Sequence, residues 1–596
     1  MAKTTYNNVL QNLSDLIKDV RNGKIGLPDL QRPFVWTDNK VRNLFDSMMK
    51  GYPVGYIMLW ESPLEYEDKK ESIGIGEKAF KVPKELVIDG QQRLTALVAS
   101  MYGVTVKDSK FQERKIRISY KPMTKEFKVW TNAIQRDAEY IPDISELFLA
   151  KENNTVAKFR KSFIQNLNDS HQRRNEQVLS DDDENNIEAS INDLLNLELY
   201  QIPTLRISQE TSEEDVAEIF VRVNSAGQKL TENDFILTLI SVYEKEKRDL
   251  IDKFCADSRI PGKNTSYNHL ISVDPSHIVR MVVGVGFRRA RLRYAYMILR
   301  GKDLKTGETS DQIREENFGI FNKALDKVLD LNNWHGFLNT LKETGYISDR
   351  LIASSNAVVF SYVLYLIAKY DYEMDALALK RLIKKWFFMS ALTSFYTGST
   401  ETDVEAQFAD METIETAEAL VDYLQNVIDS RLTEDYFNIT LPMDLTTSAS
   451  ISPSWYGFVA SQIILGTTML YSTTPLSSIF LPGSSGTKNA LDKHHIFPKN
   501  YLANLGIKND RDRNQTANFT FLDYNTNINI ADKPPNEYFE DYRAKLGDEE
   551  YRKTCAQNAI PIPEDFRNMD YFEFLNVRRH LMAQIIKKAY DRLCNS

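Results

Sequence analysis

Apolar and polar positions follow two different periods along this chain, and the change of period divides it into regions. In the first 110 residues, the apolar runs "GYIMLWE" and "ELVIDG" have the length and composition of strands. Between them, "TDNKVRNLFDSMMKG" has helical spacing, with Thr37 placed to cap its start and Gly51 its end. This mixture predicts an α+β domain at the N-terminus.

The middle of the chain has a helical pattern. The segment "LYQIPTLRIS" predicts one more strand, and from about residue 246 to 440 apolar residues recur at helical spacing while proline is sparse. A loop containing "LPGSSGTK" then leads into a region of mixed strand and helix signals. We therefore predict an α+β multidomain chain with an α+β domain at 1–245, a helical domain at 246–440 and a third domain at 441–596.

Length, charge and cysteine content limit the function. A chain of 596 residues is too long for one hydrophobic core. Its net charge of −9 argues against a uniformly basic surface, so any DNA site must be a local patch. Three cysteines are too few for a disulfide framework, which indicates a reducing compartment. No apolar run reaches the roughly 18 to 20 residues of a bilayer span. We expect a cytoplasmic protein without a membrane partner.

The stretch "LDKHHIFPKNYL" places two of the seven histidines side by side on a short apolar run. Adjacent strand residues point to opposite faces, so His494 and His495 are expected to have different roles. In one arrangement that requires this, one histidine binds a divalent cation while its neighbour takes a proton from water. The alternative is a core or zinc-binding pair without catalysis.

Downstream segments extend this pattern. "NFTFLD" alternates like a strand that starts near Asn518, "NTNINI" turns into a helix that carries Asn527, and "KPPNEYF" follows. Together with "DKHHIFP", these residues resemble the HNH (ββα-metal) endonucleases, in particular the C-terminal half of the GmrSD-type modification-dependent restriction enzymes. The resemblance implies a ββα-metal HNH domain at the end of the chain.

The same resemblance assigns roles to four residues. It implies that His494 and Asn527 are metal ligands, that His495 is the general base, and that Asn518 braces the loop and orients that base. The implied cofactor is Mg²⁺ or Mn²⁺, since hard cations suit oxygen-rich sites with open positions. Hydrolysis would then leave a 5′ phosphate.

Two stretches near the N-terminus carry polar residues at the predicted strand and helix ends: "LPDLQRPFVWTDNK" and "LVIDGQQRLTAL". In the second, a strand runs through Asp89 and Gly90 into a helix start that carries Arg93. Backbone amides, the helix dipole and an arginine at such a junction form an anion site. Taken alone this signal is weak, because glycine before a helix and a surface arginine are both common.

These stretches, followed by "EIFVRVNSAGQKLTENDF", resemble the sensor half of the same family, which is similar to the ParB/sulfiredoxin-like nucleotide-binding fold. The resemblance implies a pocket for a nucleoside triphosphate (GTP, ATP or CTP) or for a phosphate backbone. Its expected residues are Gln31, Arg32, Asp89, Gly90, Gln91, Gln92, Arg93, Thr95, Arg222 and Asn224. For Arg222 a helix-face salt bridge is the alternative.

The resemblance thus predicts a metal-dependent DNA endonuclease of a type IV restriction or antiviral defence system, gated by an NTP-binding and NTP-hydrolysing sensor domain. Its expected partners are double-stranded, modified DNA and a nucleoside triphosphate, and homo-oligomerisation stays open. The alternative is a nucleotide-dependent DNA-binding regulator or NTPase switch without strand cleavage. In "RLIKKWFF", Arg381, Lys384 and Lys385 either face DNA or form a solvated helix face.

Overall fold

The computed structural model divides the chain into two compact units, Met1–Lys245 and Glu246–Ser596. It describes residues 6–26, 34–61, 84–107, 113–211, 245–303, 306–449, 451–481, 493–523, 533–561 and 569–595, with single positions between 215 and 244 and at 526 and 530. The predicted site residues Gln31, Arg32, Arg222, Asn224 and Asn527 lie outside these described residues.

The first unit contains a mixed five-stranded sheet and two small hairpins. The strands among its described residues are β1 (Tyr6–Asn12), β2 (Ile25–Gly26), β3 (Ile57–Glu61), β4 (Glu85–Asp89), β5 (Thr105–Lys107), β6 (Glu113–Lys115), β7 (Ile118–Lys121), β8 (Glu126–Val129) and β9 (Gln201–Ile207). The sheet order is β1-β9-β3-β4-β2, while β5 pairs with β6 and β7 with β8. The strands predicted at "GYIMLWE", "ELVIDG" and "LYQIPTLRIS" are confirmed.

The central strand β3 is buried on both of its faces. Ile57 and Leu59 belong to the main core of the unit, whereas Met58 and Trp60 belong to a second apolar cluster. Neighbouring strand residues point to opposite sides, so a continuous apolar run fits a strand covered on both faces. The sheet is therefore an interior layer at β3.

Six helices complete the described part of the first unit: α1 (Leu13–Arg21), α2 (Asp38–Met49), α3 (Gln91–Tyr102), α4 (Ile144–Glu152), α5 (Val156–Arg173) and α6 (Asp181–Leu195). The predicted caps of α2 are confirmed: the Thr37 side chain accepts a hydrogen bond from the Lys40 amide, and Gly51 follows the helix at φ +71°. The mixed α+β character of the N-terminal region is therefore confirmed.

The second unit is mostly helical. Its described helices are α7 (Lys245–Asp257), α8 (Pro275–Phe287), α9 (Leu292–Leu299), α10 (Asp311–Leu329), α11 (Leu331–Lys342), α12 (Ser355–Tyr370), α13 (Ala376–Leu392), α14 (Thr400–Met411), α15 (Ala417–Arg431), α16 (Leu441–Asp444), α17 (Pro453–Ile464), α18 (Lys499–Asn504), α19 (Asp510–Arg513), α20 (Pro535–Leu546), α21 (Asp548–Gln557) and α22 (Tyr571–Cys594). The helical pattern predicted from 246 to 440 is confirmed.

The helix α12 lies in the interior of this unit, and Ala357–Ala368 are buried without a break. A helix that is apolar on all sides is either a core helix or a membrane span. No helix among the described residues combines the length and apolarity that a bilayer crossing requires. We therefore interpret α12 as a core helix.

The last two strands form a short antiparallel pair near the end of the chain. β10 (Lys493–His495) pairs with β11 (Phe519–Phe521), and His494 lies opposite Thr520 while His495 lies opposite Phe519. Trp455 of α17 stacks on Phe521 with ring centroids 6.0 Å apart, which attaches the pair to the helices. Two strands alone are marginally stable in water, so the hairpin depends on this packing.

Candidate functional site

The two histidines of β10 have different surroundings. The His494 side chain is buried, and its ring meets the Tyr538 ring edge-on at a centroid distance of 6.3 Å. The His495 ring is partly exposed and lies 4.6 Å from the Phe519 ring. The neighbouring histidines are therefore in separate environments, as the alternation of a strand requires.

His495 is held by a residue that the sequence analysis did not identify. Its Nε2 lies 3.0 Å from Oδ1 of Asn514. A carboxamide oxygen can only accept a hydrogen bond, so Nε2 carries the proton and Nδ1 keeps the lone pair. Burial lowers the pKa of His495, Asn514 raises it, and the charges of Lys499 and Arg513 lower it further. The lowered pKa favours the neutral form of His495, in which Nδ1 is the ring's acceptor.

Asn518 fastens the loop that follows the histidines. Its side chain is fully buried, accepts a hydrogen bond from the Phe497 amide at 2.8 Å and donates to the Phe497 carbonyl at 3.1 Å. It also donates to the Arg513 carbonyl at 3.0 Å. These bonds brace the segment next to His495, while the direct contact with the imidazole comes from Asn514.

The "KPP" segment leads into α20, which also reaches the histidine strand. The hydroxyl of Tyr538 in α20 donates to the Ile496 carbonyl at 2.6 Å, directly after the histidine pair. Pro534 and Pro535 open this helix, a position where the missing amide hydrogen of proline costs nothing. The helix start therefore places Tyr538 against both His494 and the end of β10.

A buried cation supports the second strand of the pair. Arg578 of α22 is fully buried and donates from Nη1 to the carbonyls of Ala517 and Phe519, both at 2.7 Å. Burial lowers the pKa of Arg578 to about 9, which leaves it charged at neutral pH. An arginine on an amphipathic helix gives no sequence signal for such a role, since most arginines on helices are solvated.

The donors for a metal ion are only partly described. Among the described residues, no group of three or more His, Cys, Asp or Glu side chains could hold a metal. Of the two predicted metal ligands, the buried His494 is described. Oδ1 of the nearby Asp523 accepts a hydrogen bond from the Thr526 amide at 2.9 Å. The second predicted ligand, Asn527, lies outside the described residues.

The predicted nucleotide site lies at the junction of β4 and α3. Gly90 connects them at φ +90°, and a Cβ at this position would lie 2.4 Å from Cδ1 of Ile57. Asp89 ends β4 opposite Met58 of β3. Only glycine accommodates both this backbone conformation and this close approach without strain.

The two glutamines at the junction bond to backbone. Gln91 Nε2 donates to the Val87 carbonyl at 3.1 Å, and Gln92 Oε1 accepts from the Val35 amide at 3.0 Å. Val35 belongs to "DLQRPFVW", so the structure brings that motif into contact with "IDGQQRLTAL". Thr95 lies half-buried on α3. Val35, near the end of the first motif, is therefore a spatial neighbour of Gln92 in the second motif.

Arg93 bonds to the preceding strand region. Its Nη1 donates to the Tyr56 carbonyl at 2.5 Å, and the guanidinium occupies space beside Gly55, where a Cβ would lie 2.6 Å from Nη1. Burial raises the pKa of the Tyr56 hydroxyl, and the neighbouring Asp89 raises it further. The junction thus combines a half-buried cation, a carboxylate and a helix N-terminus in one place.

Comparison with known proteins relates the region around the β4–α3 junction to a family. Residues 13–241 match the family model described as "GmrSD restriction endonuclease, N-terminal domain". This range contains the β4–α3 junction and ends near the boundary between the two compact units.

A second comparison extends along nearly the whole chain. The uncharacterized protein MJ0686 of Methanocaldococcus jannaschii is 24% identical over 613 aligned residues, which cover 98% of this chain and 96% of that protein. The aligned region thus spans both compact units of this chain. Residues 13–241 are similar to the N-terminal domain of the GmrSD restriction endonucleases, which supports a place for this chain in a GmrSD-type restriction system.

Proposed function

We propose that this protein is a metal-dependent DNA endonuclease of a modification-dependent restriction system, with its cleavage site at the β10–β11 pair. The observation that carries the proposal is the position of His495, which is partly exposed beside the buried His494 and has its Nε2 3.0 Å from Oδ1 of Asn514. The family match of residues 13–241 supports DNA as the substrate class.

In the proposed mechanism, Nδ1 of His495 accepts a proton from the attacking water, and the Nε2–H bond to Asn514 keeps the ring in the required tautomer. Asn518 and Tyr538 hold the strand end so that the imidazole keeps its position. Lys499 and Arg513 lie near enough to lower the pKa of His495 and would offset the charge of the scissile phosphate. Mg²⁺ or Mn²⁺ held by His494 and Asn527 would polarise that phosphate.

The test is a cleavage panel with the full chain. Modified and unmodified duplexes are incubated with Mg²⁺, Mn²⁺ or EDTA, each with and without GTP, ATP or CTP. We expect metal-dependent cutting that falls by about 100-fold or more in His495→Ala, the effect of losing a general base. His580→Ala removes an exposed histidine from α22 and is the matched control, which should cut normally. Intact DNA under every condition contradicts the nuclease assignment.

The β4–α3 junction favours a second candidate, an NTPase switch or nucleotide-dependent DNA-binding regulator. Its motivating observation is that Asp89 and Arg93 both lie near Tyr56 at the start of α3. We expect Arg93→Ala to weaken nucleotide binding about 10-fold or more, as loss of a charge-assisted bond would. Titration with labelled GTP, ATP and CTP measures this, with exposed Arg136→Ala as the control. Nucleotide turnover without DNA cutting would favour this candidate. An unchanged nucleotide affinity in Arg93→Ala would show that Arg93 does not contact the nucleotide.

A further inference from the structure

A stretch of the helical region has a charge opposite to that of the chain as a whole. Between Asp274 and Asp303 the sequence contains no Asp or Glu, although the chain has a net charge of −9. The same stretch carries the cations Arg280, Arg288, Arg289, Arg291, Arg293, Arg300 and Lys302. Local basic patches of this kind are what an acidic chain needs in order to bind a polyanion.

The segment Arg288–Arg293 contains the connection between α8 and α9 and the first two residues of α9, and we call it the arginine turn. Arg288 takes a left-handed conformation at φ +53° after α8, and its Nη1 donates to the carbonyls of Gly284 and Val285 at the helix end. It also forms an ion pair with Asp371. The side chain of Arg288 is therefore engaged in intramolecular contacts.

One carboxylate fixes the backbone of the turn. Oε1 of Glu405 accepts hydrogen bonds from the amides of Ala290 at 2.8 Å and Arg291 at 3.0 Å, and Oε2 pairs with Arg289 at 3.3 Å. Glu405 thus fixes the two residues that precede α9 and balances the charge of Arg289. The turn is a fixed structure and not a loose loop, so its side chains project from defined positions.

Two arginines of the turn are left for a ligand. Arg293 is exposed and lies 5.0 Å from the centre of the Tyr294 ring, while Arg291 donates to the Thr402 hydroxyl at 3.1 Å. Within the part of the chain that the structure describes, neither forms an ion pair. Arginine on an aromatic face is pre-organised, so less side-chain entropy is lost when it binds.

The basic residues named in the sequence analysis fit a DNA surface less well. Lys384 is buried at 5% exposure and lies 3.8 Å from Glu343, and Lys385 bonds to Gln425. The expectation of a solvated helix face is wrong for Lys384, because α13 packs this side chain into the unit. Of the three, Arg381 is exposed on α13.

We propose that the arginine turn is a binding site for the phosphate backbone of duplex DNA, with Arg291 and Arg293 as the contacting residues. The choice of DNA rests on the proposed nuclease function. A guanidinium donates two parallel hydrogen bonds to a phosphate, and such contacts fix the position of a duplex without reading its sequence. The turn therefore binds modified and unmodified duplexes alike.

The experiment measures binding of the full chain to a labelled unmodified duplex of about 30 base pairs by fluorescence anisotropy, in EDTA, over a series of KCl concentrations. Each phosphate contact contributes about 0.9 to the slope of log K against log salt. The variant R291Q/R293Q is expected to bind at least about 10-fold more weakly at low salt, with the slope reduced by about 2. The control K588Q/R592Q removes two exposed charges from α22 and should keep the wild-type slope.

The results separate this inference from the proposed function. A wild-type slope in R291Q/R293Q overturns the site, as does a wild-type chain that fails to bind the duplex even at the lowest salt. Salt-dependent binding that requires both arginines, in a chain that cuts no DNA, supports the site while it contradicts the nuclease. Hydrogen exchange over α8 and α9 in both variants checks that the turn keeps its fold.

Discussion

The two candidate sites of this chain are built differently, although each lies where a strand ends. At the β4–α3 junction, Gln91, Gln92 and Arg93 are half-exposed and each bonds to one backbone group. At the β10–β11 pair, the fully buried Asn518 and Arg578 each hold several carbonyls or amides. Buried polar groups are costly to leave unpaired, so the second site is the more sensitive to substitution.

The buried cation gives the strongest test of this difference. In Arg578→Leu the carbonyls of Ala517 and Phe519 lose their donor inside the protein, and we expect the second unit to lose about 4 kcal/mol of unfolding free energy. Urea unfolding, followed by hydrogen exchange at 493–523, measures the loss. Arg592→Leu, on the exposed face of the same helix, should change stability by less than about 0.5 kcal/mol. Equal losses in both variants would contradict the role of Arg578.

The second prediction concerns the brace of the histidine loop. Asn518→Ala leaves the Phe497 amide and the Phe497 and Arg513 carbonyls without their side-chain partner, and we expect a cost of about 3 kcal/mol. Cleavage activity should fall together with stability, because His495 is then no longer held. The same urea and cleavage assays apply. Asn504→Ala, an exposed asparagine at the end of α18, is the control, and a similar loss there would break the comparison.

At the N-terminal junction, backbone strain is expected to account for most of the stability lost on substitution of Gly90. Gly90→Ala places a Cβ 2.4 Å from Cδ1 of Ile57 at φ +90°, and we expect a loss of about 2 kcal/mol in the first unit. Gly51→Ala has a similar φ of +71° but no atom within 4 Å, so it should cost about 1 kcal/mol. Thermal unfolding with hydrogen exchange over α3 compares them. Identical losses would show that steric contact with Ile57 is unimportant.

The smallest expected effect concerns Asn514 and the pH dependence of cleavage. Because the pKa of His495 is lowered, cutting should persist below pH 6.5 and fail only when acid protonates the base. The bond from Asn514 raises that pKa, so Asn514→Ala should move the acid limb to lower pH while the maximal rate falls about 5-fold. Initial rates from pH 5 to 8 measure both. A lower rate with an unmoved acid limb would reduce Asn514 to a structural role.

Local patterns in the sequence were sufficient to predict the strand–glycine–helix structure of the N-terminal junction. Asp89, Gly90 and the residues after them are contiguous, and a strand that runs into a glycine and a capped helix is determined by neighbours along the chain. The contact between Gln92 and Val35 is different, because it joins positions 57 residues apart. The pairing of those motifs came from a resemblance and not from periodicity.

The sequence by itself determined that His494 and His495 face different surroundings, since alternation along a strand follows from backbone geometry. Only the tertiary structure decided which residues hold the β10–β11 pair: Asn514, which bonds to His495, is 19 residues from it, and Arg578, which bonds to the Ala517 carbonyl, is 61 residues from Ala517. Polar residues such as these carry no periodic signal, because their partners are chosen by packing between elements distant in the chain. The arginine turn combines both: its cations are visible in the sequence, whereas the contact of its backbone with Glu405, more than 100 residues away, is decided by the packing.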